Sequence, residues 1–124
     1  MRAINIIPAH DTPGIILDAE NNKFEITGQS MPADAIEFYE PIIAWLNEYS
    51  TNPNPETVLV FNLEYLNTST SKIIVNMLLV LKKIYDTGKE VLFEWHFKED
   101  DLDMFEFGEE LNFVTGLPYN PIKH

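Results

Sequence analysis

TVLVFNLEYLNTSTSKIIVNMLLVLKKIYDTGKEVLFEWHF, residues 57–97, decides the fold of this chain. Its first ten residues, TVLVFNLEYL, are rich in β-branched and aromatic side chains. They are apolar enough on both faces for a central strand covered by helices. Apolar side chains then recur at helical spacing through TSTSKIIVNMLLVLKKIYDTGK, residues 68–89. That segment stops at Gly88, with Lys82, Lys83 and Lys89 near the negative pole of the helix. EVLFEWHF, residues 90–97, reads as a second strand. Two strands joined by a helix imply a right-handed parallel crossover.

Upstream, AINII (3–7) is a short strand stopped by Pro8. GIILDA (14–19) and KFEITG (23–28) flank the polar turn Glu20-Asn21-Asn22, which predicts a hairpin. Residues 30–50 predict a helix entered through Ser30, Pro32 and Asp34, with Ala35, Phe38, Tyr39, Ile42, Leu46 and Tyr49 on its packing face. Pro41 lacks a donor and is expected to kink it. STNPNPE (50–56) ends that helix. Downstream, residues 99–116 predict a third helix with an acidic first turn, although Gly108 weakens it by about 1 kcal/mol. The tail, LPYNPIKH (117–124), is expected to be irregular. The order is β-β-β-α-β-α-β-α, a mixed α/β sheet with helices on at least one face, in one domain over residues 1–124.

Composition narrows the function. Hydrophobic residues make up 45% of the 124, enough for a core. Twenty acidic residues against eight basic give a net charge of −12, which argues against nucleic acid or an anionic membrane as partner. Cysteine is absent, so disulfides and thiolate metal sites are excluded. Neither a signal peptide nor a membrane-spanning run is present, and the cytoplasm is the expected location.

Catalytic motifs are sparse. His10, His96 and His124 lack metal-site spacing, and no glycine-rich phosphate loop occurs. Glu94 and His96 project from one side of a strand. A small hydrolase or ligand-binding site would have to recruit His10 and Asp11 to His96 through the tertiary fold. The acidic run from Glu99 to Glu110 lacks the order of a calcium loop and suits a solvated helix start. Phe93, Trp95, Phe97, Phe105, Phe107 and Phe113 are expected to be core. No cofactor or metal is expected.

Asn67-Thr68-Ser69-Thr70-Ser71-Lys72 is different. Asn67 or Thr68 can cap the second helix, which needs only one such side chain. A hydroxyl at a helix N-terminus is also a favourable place for phosphate. Projected at about 100° per residue, Thr68, Lys72, Val75 and Leu79 form one stripe, with Asn76 and Lys83 beside it. Ile73, Ile74, Met77, Leu78, Leu81, Ile84 and Tyr85 take the core-facing arc. Thr70 points toward that arc, and Thr68 is the outward hydroxyl.

HDTPGIILD (10–18), SMPADAIEFYEPIIAWLNEY (30–49), FNLEYLNTSTSK (61–72) and WHFKEDDLDMFEFGEEL (95–111) together resemble the SiaC-type biofilm-regulation phosphoproteins, which are similar in fold to STAS domains. The resemblance spans nearly the whole chain in order. It implies a non-enzymatic partner switch. A Ser/Thr kinase would phosphorylate the threonine after Tyr-x-Asn, here Thr68, and a PP2C-type phosphatase would remove the phosphate. The unmodified form would bind and activate a diguanylate cyclase and so control cyclic di-GMP output. The expected partner surface is Asn67, Lys72, Val75, Asn76, Leu79 and Lys83. The broader STAS likeness leaves an anti-sigma-factor antagonist as an alternative with the same phosphosite.

Overall fold

Strand β4, Glu56–Leu66, alternates between buried Thr57, Leu59, Phe61 and Leu63 and more exposed neighbours, as a strand covered on one face must. In this computed structural model, which describes residues 1–124, β4 lies inside a six-stranded sheet of order β1-β2-β3-β4-β5-β6. Strands β1 (Ile4–Ile6), β2 (Gly14–Asp18) and β3 (Lys23–Ser30) pair antiparallel. The pairs β3–β4 and β4–β5 (β5, Glu90–Phe97) are parallel, crossing through α1 (Ala35–Tyr49) and α2 (Thr68–Asp86). Helix α3, Leu102–Thr115, leads to β6, Tyr119–Lys123, parallel to β5. The expected mixed sheet and element order hold through α3.

The tail is the first correction. Residues 119–123 are an edge strand rather than irregular, because Phe93 through Phe97 offer an open parallel edge to them. Pro121 lacks a backbone donor, and a sheet edge is where that deficit is tolerated. Composition alone gave no strand signal for YNPIK.

All three helices pack on one face. Phe24 of β3 meets Trp45 and Tyr49 of α1 at ring-centroid distances of 6.1 and 5.1 Å. Trp95 of β5 meets Phe107 of α3 at 5.5 Å. Between them α2 buries Ile74, Met77, Leu78, Leu81 and Ile84. Thus β4 is central but covered on one side only, and Val58 and Val60 on its other face are half-buried. The apolar character of that second face reflects strand neighbours, not a second helical layer.

Local signals place the helix ends. Asp34, not Ser30, caps α1, accepting from the Glu37 amide at 3.1 Å, while Ser30 closes β3. The helix continues through Pro41, which is exposed. Gly108 is favoured by packing: a Cβ there would stand 2.4 Å from Cδ1 of Trp95, so that the neighbours would have to shift. The close approach lets the Trp95 indole donate to the Met104 carbonyl at 2.9 Å. Phe113, expected in the core, is 79% exposed, because α3 turns Met104, Gly108 and Leu111 inward instead.

Candidate functional site at the start of the second helix

The chain leaves β4 at Leu66 and enters α2 at Thr68 with Asn67 extended between them. Asn67 is the cap: its Oδ1 accepts from the Thr70 amide at 2.9 Å, and its carbonyl accepts from the Ser71 amide at 3.1 Å. Its own amide donates to the Ser30 carbonyl at 3.0 Å, tying the helix entrance to the end of β3. Beside this junction β4 carries an extra residue, Glu64, where the β3–β4 register shifts after Gly28.

The four consecutive hydroxyls separate into two kinds. Thr70 is 0% exposed, with Oγ1 at 2.8 Å from Ser30 Oγ and at 3.2 Å from the Ser30 carbonyl. Ser71 is half-buried and donates to the Thr68 carbonyl at 2.6 Å. Thr68 and Ser69 are exposed. Buried Thr70 connects through Ser30 to Tyr39 of α1, whose Oη lies 2.6 Å from Ser30 Oγ. Burial pushes the Tyr39 phenol up to about 12, partly opposed by the Ser30 hydrogen bond. This interior network escaped sequence reasoning, since its three members are far apart in the chain and each is an ordinary residue.

Along α2, Thr68, Lys72, Asn76, Leu79 and Lys83 are exposed, and Leu79 retains 43% of its surface. Val75 is half-buried against the core cluster, forming the inner edge of the stripe. Tyr85, placed on the core arc by periodicity, is instead 38% exposed, because in the last turn of α2 it is Ile84 that faces the core. Lys82 pairs with Asp86 at 2.6 Å. Lys72 and Lys83 have no carboxylate within 4.0 Å, so the stripe is cationic on an otherwise acidic molecule.

His10 and Asp11 do not reach His96, which instead meets His124. His10 and Asp11 lie 3.7 Å apart on the exposed β1–β2 loop. His96 sits on β5, three strand positions from β2. There its Nε2 is 2.8 Å from Glu94 Oε1, and its Nδ1 is 2.7 Å from His124 Nε2. None of the larger cavities is lined by His10, Asp11 or His96. The same-side placement of Glu94 and His96 was legible in strand alternation, whereas His124 was hidden in the tail. No group of three or more carboxylates and imidazoles is arranged to hold a metal ion. No helix is long and apolar enough to cross a membrane.

Comparison with known proteins places this geometry in context. A family model described as SiaC family regulatory phosphoprotein matches residues 6–123. An uncharacterized protein of Pseudomonas aeruginosa (strain UCBPP-PA14) is 25% identical over 119 residues, covering 96% of this chain and 94% of that protein. The structure of SiaC of Pseudomonas aeruginosa superposes with a TM-score of 0.90 at 25% identity, over 100% of both chains. A second similar chain, also with a TM-score of 0.90 and 25% identity, covers 98% of this chain and 99% of that one. It comes from the crystal structure of the diguanylate cyclase SiaD in complex with its activator SiaC from Pseudomonas aeruginosa.

Proposed function

The chain belongs to the SiaC family of regulatory phosphoproteins, and we propose that it is a non-enzymatic, cytoplasmic partner switch whose phosphoacceptor is Thr68. A Ser/Thr kinase adds the phosphate and a PP2C-type phosphatase removes it. The unmodified protein binds and activates a diguanylate cyclase through Asn67, Lys72, Val75, Asn76, Leu79 and Lys83. The observation that carries this reading is the position of Thr68, an exposed hydroxyl heading a solvent-facing stripe that ends in exposed Leu79 and Lys83. The cyclase as target is supported by the complex that the relative SiaC forms as an activator.

The physical basis is a local change of charge. Phosphate brings about −1.5 to −2 charge to the first turn of α2. The helix tolerates it, because the dipole favours an anion there and Lys72 stands one turn on. A partner seated on the stripe does not, since desolvating the phosphate or opposing it with like charge costs several kcal/mol. The switch therefore operates by blocking an interface, with no large rearrangement required of the fold.

The test is a binding and activity assay with the organism's diguanylate cyclase, using unmodified and singly phosphorylated protein. Unmodified protein should bind and raise cyclic di-GMP synthesis, and phosphorylated protein should do neither. Equal binding by both forms would end the proposal. Capture of an anti-sigma factor by the unmodified form, with no effect on the cyclase, would replace its output with transcription.

A further inference from the structure

The interior side of the α2 entrance contains a hydrogen-bonded chain that the surface switch does not use. Ser30, Tyr39 and Thr70 are each 0% exposed, and they belong to β3, α1 and α2 respectively. Each hydroxyl has one proton to donate. Thr70 Oγ1 donates to the Ser30 carbonyl at 3.2 Å. Its oxygen is then free to accept from Ser30 Oγ at 2.8 Å, and Ser30 Oγ in turn accepts from Tyr39 Oη at 2.6 Å. Every hydroxyl proton is used once, in one direction, from α1 through β3 to α2.

The chain grips the backbone on both sides of Thr68. Before it, the Asn67 amide is held by the Ser30 carbonyl; two residues after it, the Thr70 side chain is held by the carbonyl and the hydroxyl of Ser30. First turns of helices fray when only their own hydrogen bonds hold them. Here one residue, Ser30, fixes the turn from inside while its outer surface stays open.

Resting on the reading of Thr68 as phosphoacceptor, we infer that Tyr39, Ser30 and Thr70 are positioning residues, which hold the first turn of α2 so that the Thr68 hydroxyl is presented in one orientation to the kinase. They do not touch the transferred phosphate. Their contribution is geometric: a nucleophile held in line reacts far faster than one that samples several orientations. Because all three side chains are buried and present no surface to the kinase, their loss acts on the chemical step rather than on recognition.

The experiment is steady-state phosphorylation by the cognate kinase, with site mapping by mass spectrometry, for wild type, Thr70→Val, Thr70→Ser and Tyr39→Phe. Thr70→Val keeps the shape and removes the hydroxyl. It should lower kcat on the order of tenfold with KM little changed, and Thr70→Ser should restore kcat to within about twofold. Amide exchange of residues 69–71 should quicken in Thr70→Val and recover in Thr70→Ser. If Thr70→Val does not fold, Tyr39→Phe keeps the ring and carries the same comparison, with a reduced kcat expected. Wild-type kcat and KM in the folded variants would overturn the inference and leave the reading of Thr68 standing. Unfolding of both Thr70→Val and Tyr39→Phe would make the chain a purely structural element and overturn it too. A wild-type phosphate mapped away from Thr68 would overturn the reading and this inference together.

Discussion

The carboxamide oxygen of Asn67 accepts the Thr70 amide at 2.9 Å, so the helix that begins at Thr68 is capped by the residue before it. The Thr68 hydroxyl is thereby released from capping and left at the surface. Asn67→Ala should lower stability by about 1 kcal/mol, whereas Asn67→Asp should retain most of it, because a carboxylate accepts the same amide. Chemical denaturation of the three proteins measures this. An alanine variant as stable as wild type would mean the cap is dispensable.

Thr68 is expected to be the single main phosphoacceptor among the four hydroxyls. Intact-mass measurement after kinase treatment should show one added phosphate, absent from Thr68→Ala and retained in Ser69→Ala. Ser69 is the informative control, since it is exposed like Thr68. Phosphate retained in Thr68→Ala would move the acceptor to a neighbour.

Leu79→Asp should abolish binding to the diguanylate cyclase while shifting stability by no more than about 1 kcal/mol. The expectation follows from its position three turns along the stripe from Thr68 and its 43% exposure, with little core contact to lose. Titration calorimetry and a melting curve separate the outcomes. A collapsed melting curve would make Leu79 core, and unchanged affinity would move the interface off this helix.

Gly108→Ala sets intrinsic propensity against packing. Alanine gains about 1 kcal/mol in a helix interior. Its Cβ, however, would stand 2.4 Å from Trp95 Cδ1, in a helix-to-sheet contact also fixed by the indole hydrogen bond to Met104. Overpacking costs about 1–3 kcal/mol, so the variant should be neutral to destabilised by up to about 2 kcal/mol. A clear rise in melting temperature would show that α3 yields more easily than this packing implies.

Tyr39 makes stability fall at high pH. Its phenol is raised from 10.0 to about 12 in the folded protein, chiefly by burial. Below pH 10 the residue is protonated in both states and its contribution is fully present. Between about 10 and 12 the unfolded chain ionises while the folded one does not, so stability drops by up to about 1.4 kcal/mol per pH unit. Denaturation curves at pH 9 and pH 11.5 should show a larger loss in wild type than in Tyr39→Phe. Equal losses would place the effect on other tyrosines.

Periodicity made much of this molecule legible. Alternation in TVLVFNLEYL and EVLFEWHF and the 3.6-residue rhythm of α2 depend on near neighbours in the chain, as does the outward stripe from Thr68 to Lys83. Those patterns suffice for the mixed sheet, for the burial of Thr70 and for the exposure of Leu79. The proposal of Thr68 as phosphoacceptor rests on resemblance to a family, because a run of four hydroxyls does not by itself single one out.

Other features required the chain to be folded. The strand at residues 119–123 exists because β5 offers it an edge, and Pro121 hides that in the sequence. Gly108 lowers helix propensity locally, yet it permits the close approach of α3 to Trp95. Ser30 resembles a helix entry until the fold places it against Tyr39 and Thr70, forty positions along the chain from the latter. Local sequence determines which backbone conformation each segment prefers, since steric clashes and apolar spacing act over a few residues. Only the tertiary structure decides which buried polar groups become partners, since hydrogen bonds depend on distances that the linear order does not contain.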